Sequence, residues 1–315
     1  MSTRGAVVTM GTFDGVHRGH HAVLAEVTRR ASVSGLASVL VTFEPHPLAV
    51  VNPAAAPKLL TLADEKRALV AAQGIEQFVL MPFTPAVAQL DAEAFVGRLR
   101  DAYAMRELVM GYDHGFGRGR AGDVDLVRRL ARQQGFELAV VDAVRDNGAG
   151  QPISSTLIRT ALAHGDLDAA ARWLGRSYGI RGTVVKGAGR GRTIGVPTIN
   201  LEAPDPRKLL PPDGVYAVRV RILESGVGSL ETNPASNSQI LEFGGMMNQG
   251  PRPTFGEESR TLEIHLFDFD GELYGAVVDV EWVRRLRAVQ AFPSRDALVA
   301  QLERDRQAAR ATLNR

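Results

Sequence analysis

The 315-residue chain has no cysteine. Disulfides and thiolate metal sites are therefore excluded, which is compatible with the expected cytoplasmic location. Lysine is nearly as scarce: Lys58, Lys66, Lys186 and Lys208 are the whole set, leaving 33 arginines among 37 basic residues. Arginine's high pKa lifts the pI to about 9.1 although the formal net charge is only +2. The positive residues are spread along the chain and form no basic stripe, so nucleic acid is not an expected partner. No apolar stretch approaches the roughly 20 residues of a membrane span. The first residues also lack the basic, apolar and small-residue blocks of a secretory signal, so no membrane partner is expected. No lysine has the G-x-x-x-x-G-K-[ST] context of a P-loop.

What is present is a change of rhythm. In the first half "AVVTM", "LASVLVTF", "EQFVLMPF", "RELVMGY" and "FELAVVD" read as buried strands. Between them "GHHAVLAEVTRRA", "LADEKRALVAAQ", "AEAFVGRLRDAY" and "GDVDLVRRLARQQG" have helical spacing. Strands alternating with helices predict an α/β domain, a parallel sheet wrapped on both faces. "SSTLIRTALAHGDLDAAARWLG" adds one or two helices ending at Gly175. From Tyr178 the chain becomes all-β, with "GIRGTVVKG", "DGVYAVRVRI", "SQILEFGGMMNQG", "TLEIHLFDFDGELYG" and "AVVDVEWVRRLR" as strands of a small antiparallel barrel. "TLEIHLFDF" running into "DGELYG" reads as a hairpin. A terminal amphipathic helix follows. The domains are expected at 1–177 and 178–315, with a polar surface loop over 224–238. The oligomeric state stays open.

The first chemically loaded stretch is "GTFDGVHRGH", which carries Gly11, Gly15 and Gly19 from a strand into a helix start. Glycines allow close backbone approach, and a helix N-terminus offers N–H groups and positive potential to an anion. His17 and His20, three apart on one helix face, could donate to phosphate oxygens as charge builds during displacement at phosphorus. The plain alternative is a helix cap with a surface histidine. The turn has no G-x-G-x-x-G, so a dinucleotide fingerprint does not account for it.

"GTFDGVHRGH" resembles the signature of nucleotidyltransferases that transfer AMP or CMP. Its "FDGVHRGH" form is most similar to the bacterial bifunctional riboflavin kinase/FAD synthetase family. "VTFEPHP" (41–47), "GYDHGFGRGRAGD" (111–123) and "ISSTLIR" (153–159) follow in the family's order. In the second half "VVKGAGRGRTIGVPTIN" (184–200), "DGVYAV" (213–218), "MNQGPRPTF" (247–255) and "LEIHLFDFDGELYG" (262–275) resemble the riboflavin kinase module. The resemblance implies a Rossmann-like nucleotidyltransferase domain followed by a riboflavin kinase-like barrel. It also implies ATP as co-substrate, Mg²⁺, and riboflavin, FMN and FAD as substrates or products.

The same resemblance suggests roles. Gly11, Phe13, Asp14, Gly15, His17, His20, Asp113, Ser154, Ser155, Thr156 and Arg159 would contact ATP in the first half. Lys186, Gly187, Gly189 and Arg192, with Thr198 and Asn200, would do so in the second. Thr198 and Asn200 present neutral oxygens suited to a hydrated Mg²⁺. Glu263 would be the base for the ribityl 5′-hydroxyl, and alternation sets it with His265 on the face opposite Leu262, Ile264 and Leu266. Asn248, Arg252 and Thr254 would meet the flavin. Each has a plainer reading: an N-cap run for "ISSTLIR", a mobile loop for "GYDHGFGRGRAGD", a basic turn for "KGAGRGR", an exposed strand carboxylate for Glu263. His46 in "FEPHP" carries no assigned role. Three positions depart from the family pattern: Val196 for phenylalanine, Ile199 for alanine, and "MMNQG" for Met-Ala-Asn-Ile-Gly. Two other functions compete: transfer to a different phosphate ester, and a non-catalytic flavin carrier or regulator.

Overall fold

Five apolar runs of the first half form parallel strands: β1 (Ala6–Met10), β2 (Ala37–Glu44), β3 (Gln77–Pro82), β4 (Met105–Gly111) and β5 (Glu137–Val141). They hydrogen-bond in the order β3-β2-β1-β4-β5. The computed structural model describes all residues except 1–3, 147, 149, 188–190, 192–194, 203, 225–240, 252–259 and 315. The chain divides into two units, Met1–Ile158 and Arg159–Arg315.

β1 is buried at every position, as expected of a strand covered on both faces. Its alternate residues feed two cores. Val7 packs with Leu40, Val109 and the apolar stripe Val23, Leu24 and Val27 of α1 (Arg18–Ser34). Val8 and Met10 face the other way, toward Phe95, Val96 and Leu99 of α5 (Ala92–Tyr103) and Val127 and Leu130 of α6 (Val124–Gln134). Between these lie α2 (Pro47–Val51), α3 (Ala63–Ala71) and α4 (Pro85–Ala88). Two of the three, α2 and α4, are short helices started by proline at the first position and were not legible as helical runs. Strand order reverses between β1 and β4, which opens a crevice at their carboxyl ends. The chain leaves that edge at Gly11 and again at Tyr112.

The second unit holds part of α7 (Ser155–Ala163), then α8 (Leu167–Leu174), which lies against β6 (Tyr178–Val185) and β11 (Val277–Arg287). With β7 (Ile199–Leu201), β8 (Gly214–Glu224), β9 (Leu241–Pro251) and β10 (Arg260–Leu266), these form a closed barrel in the order β10-β7-β6-β11-β8-β9. The expected β10–β11 hairpin does not exist. Both edges of β10 are taken by β7 and β9, while β11 pairs with β6 and β8. Barrel closure, which satisfies every edge, overrides the local turn chemistry of "DGELYG". Gly275 N–H instead donates to Val184 O at 2.8 Å, closing the connection onto β6.

Gln249 stands where the family more often has isoleucine, and it is fully buried. Its amide donates to Pro211 O and its carbonyl accepts from Trp282 Nε1 at 3.2 Å, so the polar group is satisfied. α9 (Arg295–Leu313) closes the unit. Its buried Asp305 takes a forked pair from Arg287 at 2.8–3.1 Å. Val196, another departure, packs with Ala217, Met246, Phe267 and Ala309. Among the described residues no helix is long and apolar enough to cross a membrane.

Candidate active sites

The turn between β1 and α1 is strained. Phe13 and Val16 have φ values of 44° and 40°, a left-handed conformation that is unfavourable for bulky and β-branched side chains. Such residues cost on the order of 1–3 kcal/mol each and need surroundings that hold them. The surroundings are visible. The buried Asp14 carboxylate accepts from Leu60 N (3.0 Å), Thr61 N (2.9 Å) and Thr61 Oγ1 (3.1 Å). Gly15 N donates to Thr61 Oγ1 at 3.0 Å. Thr12 O accepts from Thr42 Oγ1 at 3.0 Å and from the buried Lys66 ammonium at 2.7 Å.

At the end of this turn His17 caps α1. Its Nδ1 accepts from His20 N, and His20 Nδ1 accepts from His17 N, both at 3.4 Å. Each ring therefore turns an unprotonated Nδ1 to the backbone, which puts the proton of a neutral imidazole on Nε2. The rings stack with centroids 3.7 Å apart, and Phe13 lies 4.7 Å from His20. Burial pushes His20 well below the ordinary imidazole value, reinforced by neighbouring His17 and Lys66. His20 is thereby held as a neutral donor stacked on the His17 ring. A Cβ on Gly19 would stand 3.1 Å from His17 Cε1, so the glycine leaves room for that ring.

A second helix start meets this turn. Ser155 Oγ donates to Asp14 O at 2.9 Å, and Ser154 Oγ caps α7 by accepting from Leu157 N at 3.2 Å. Thr156 follows in the first turn, and Arg159 lies one turn from Ser155 on the same helix face. From β4, Asp113 is exposed, and a Cβ at Gly111 would lie 3.9 Å from its Oδ1. His114 Cε1 would be 3.3 Å from a Cβ at Gly11. His46 caps α2 by accepting from Leu48 N at 3.2 Å.

In the barrel, register places Asn200 of β7 opposite Glu263 of β10, and Glu263 opposite Asn248 of β9. Directly paired residues project from the same face. The other face of β10 carries the buried Leu262, Ile264 and Leu266. Thr198 precedes β7 and is half-buried, like Asn200 and Glu263. Glycines press close to both neutral oxygens. A Cβ on Gly187 would overlap the Asn200 carboxamide, and one on Gly191 would lie 3.4 Å from Thr198 Oγ1. Lys186 is exposed, its ammonium 5.6 Å from the Tyr274 ring centre. Among the described residues no group of three His, Cys, Asp or Glu could hold a metal. A divalent ion there would rely on neutral oxygens and on oxygens of its ligand.

A family model described as FAD synthetase matches residues 1–157, and one described as riboflavin kinase matches residues 174–313. The chain is 37% identical over 310 residues to the bifunctional riboflavin kinase/FMN adenylyltransferase of Pseudomonas fluorescens, spanning 98% of this chain and 93% of that protein. For the protein of the same description from Escherichia coli K12 the identity is 36% over 307 residues, spanning 97% and 92%. The chain belongs to the bifunctional riboflavin kinase/FMN adenylyltransferase family. A solved structure described as a macrolide-efflux protein from Streptococcus pneumoniae shares the fold, with a TM-score of 0.83 at 32% identity over 98% of this chain and 95% of that one.

Within this family frame the expected residues fall into two groups. Gly11, Phe13, Asp14, Gly15, His17, His20, Ser154 and Ser155 converge on the β1–α1 turn. Asn200, Glu263 and Asn248 form one cross-strand row beside Thr198 and Gly187. Asp14 and Ser155 turn their polar atoms into the protein, so what they do here is hold the turn. Gly189, Arg192, Arg252 and Thr254 lie outside the described residues, as does most of the expected 224–238 loop. Sequence reasoning missed Lys66 and Thr61, which reach the turn from 46 or more positions away. The scarcity of lysine was the one signal that could have singled out Lys66. It also gave His265 no role, although its Nδ1 lies 2.7 Å from Pro197 O.

Proposed function

We propose that the two halves catalyse consecutive reactions: the barrel phosphorylates riboflavin with ATP to FMN, and the first half joins FMN to AMP, releasing pyrophosphate and forming FAD. The observation that carries this reading is the pairing, in one chain of this family, of a phosphate-type turn with a cross-strand carboxylate row. The kinase module is assigned to 178–315 and the adenylyltransferase to 1–177.

In adenylyl transfer an FMN phosphate oxygen bonds to the α-phosphorus of ATP while the bond to the bridging oxygen of pyrophosphate breaks. The Nε2–H groups of His17 and His20 donate to phosphate oxygens as negative charge accumulates there. The Arg18 and Gly19 amides, in the first turn of α1, add main-chain donors. Thr156 and Arg159 serve the leaving pyrophosphate, and Asp113 meets the nucleotide. Asp14 and Ser155 keep the turn in place.

In the barrel, Glu263 accepts the proton of the ribityl 5′-hydroxyl as its oxygen bonds to the γ-phosphorus and ADP leaves. Thr198 and Asn200 would hold Mg²⁺ through their neutral side-chain oxygens. When bound, the ion would supply charge neutralisation between phosphate oxygens. Lys186 and Gly187 would border the ATP phosphates and Asn248 the flavin; for Gly189, Arg192, Arg252 and Thr254 the same roles rest on the family resemblance alone.

The decisive test incubates the full-length protein with riboflavin, ATP and Mg²⁺ and resolves FMN from FAD by chromatography. The His17→Ala/His20→Ala double variant should make FMN and no FAD. Glu263→Gln should lose FMN formation by roughly a hundredfold or more, within the range of general base contributions, yet adenylylate added FMN normally. Normal FAD synthesis by the first variant, or unchanged kinase turnover by the second, would refute the corresponding assignment.

A further inference from the structure

Pro197 has no N–H to give a neighbouring strand. The β7–β10 ladder accordingly reaches Ile199, opposite Ile264, and goes no further. One more step of that register would set Thr198 opposite His265. There the side chain takes over from the backbone: His265 Nδ1 lies 2.7 Å from the Pro197 carbonyl oxygen. A carbonyl only accepts, so the imidazole holds its proton on Nδ1 and donates it. The ring is itself held, standing edge-on to Phe267 with centroids 5.8 Å apart. Phe267 belongs to the same packed cluster as Val196, one residue before Pro197.

The peptide leading into Thr198 is thus tied to the strand that carries Glu263. Thr198 precedes the strand and gains no support from the ladder. Asn200 lies within β7 and is paired on both sides, with Glu263 and with Val185. Of the two neutral oxygens, only that of Thr198 depends on a side chain for its placement relative to Glu263.

We propose that His265 is a positioning residue for phosphoryl transfer, fixing the Thr198 hydroxyl relative to Asn200 and Glu263 by binding the Pro197 carbonyl. This rests on the assignment of Thr198, Asn200 and Glu263 made above. In this assignment His265 acts through the Pro197 carbonyl and Thr198, not on the reacting atoms. Its effect is therefore on how tightly the nucleotide and its ion are held more than on the rate once they are bound.

The test uses the full-length protein with His265→Phe, which keeps a planar ring but no donor, and His265→Asn, which returns an N–H near the position of Nδ1. Riboflavin phosphorylation is measured against ATP and Mg²⁺, with adenylylation of added FMN in the same preparation as control. Calorimetry without turnover reads how much Mg²⁺ strengthens ADP binding. His265→Phe should raise KM for ATP and the half-maximal Mg²⁺ concentration by up to roughly tenfold, the scale of one net hydrogen bond. It should weaken the Mg²⁺-dependent gain in ADP affinity by a similar factor, with kcat changing less and adenylylation unchanged. His265→Asn should recover most of each loss. Unchanged ATP and Mg²⁺ dependence in His265→Phe, a loss confined to kcat, or an Asn variant no better than Phe would each overturn the proposal. Thr198→Ala separates the levels. If it abolishes kinase turnover while His265→Phe is silent, only the positioning role fails; if Thr198→Ala is itself silent, the underlying site reading fails.

Discussion

Replacing Asp14 with alanine removes the acceptor for two main-chain amides, Leu60 and Thr61, and for the Thr61 hydroxyl, all within 2.9–3.1 Å. The hydroxyl can turn elsewhere; the amides cannot. Each buried amide left without an acceptor costs about 1–3 kcal/mol, so the loss is about 2–6 kcal/mol. Asparagine with its carbonyl oxygen in the Oδ1 position keeps an acceptor for both amides but exchanges charge-assisted bonds for neutral ones. That loss is about 1–2 kcal/mol. For a unit of this size, 1 kcal/mol moves the melting point by about 2–4 °C. Alanine should therefore lower the ligand-free melting of the first unit by on the order of 10 °C, and asparagine by a few degrees. Calorimetry on full-length protein reads this directly, and riboflavin phosphorylation serves as an internal control for the second unit. A residue whose task is to contact the nucleotide behaves differently: it raises KM for ATP and leaves ligand-free melting where it was. Unchanged melting in Asp14→Ala, with KM raised, would show that the carboxylate does not anchor the turn.

Three further outcomes follow from particular contacts. Gly19→Ala brings a methyl within 3.1 Å of the His17 ring; FAD formation should fall at least tenfold while FMN formation is unchanged, as chromatography of the products would reveal. The His20 ring is held below its ordinary pKa, so below about pH 6.5 the unfolded chain takes up a proton that the native state refuses. Stability is then full above that pH and is lost as the pH falls toward the lowered native value; His20→Asn should flatten this slope in melting curves of the first unit between pH 7 and 5. Gly187→Ala drives a methyl into the Asn200 carboxamide and should cut kinase turnover by more than tenfold, while FAD production from added FMN continues at the normal rate.

What could be read in advance, and what could not, divides along physical lines. The central strands β1 and β2 were legible because a strand covered on both faces is largely apolar, as Ala6–Met10 is apart from Thr9. Alternation on β10 sufficed to set Glu263 apart from Leu262 and Ile264. β7 is not legible as a barrel strand because three residues, Ile199–Leu201, carry no periodicity. The β10–β11 hairpin was misread because "DGELYG" has the residues of a tight turn, whereas pairing is decided by which edges barrel closure leaves open. The motif spacing found His17 and His20 but could not foretell that their Nδ1 atoms face the backbone. Asp14 is expected at the nucleotide on the family resemblance alone; the Leu60 and Thr61 amides that meet its carboxylate are distant in sequence and carry no local signal.

The tautomer has a consequence for how the first site would favour the transition state. A protonated imidazole pair would bind the resting triphosphate strongly, lowering ground state and transition state together, which gains little turnover. Stacked at 3.7 Å on His17, the His20 ring instead stays neutral, because burial and the nearby positive charge of Lys66 disfavour its protonation. A neutral Nε2–H interacts modestly with the dispersed charge of bound ATP and more strongly as charge concentrates on the phosphate oxygens during displacement. The positive charge is meanwhile held on Lys66, whose ammonium is committed to Thr12 O at 2.7 Å and cannot swing onto the ligand without releasing the turn. Charge and hydrogen-bond donation, which a P-loop lysine combines in one side chain, are here assigned to different residues. On the assignment proposed above, donors that meet phosphate would discriminate by charge development, while the fixed cation holds the turn that carries them.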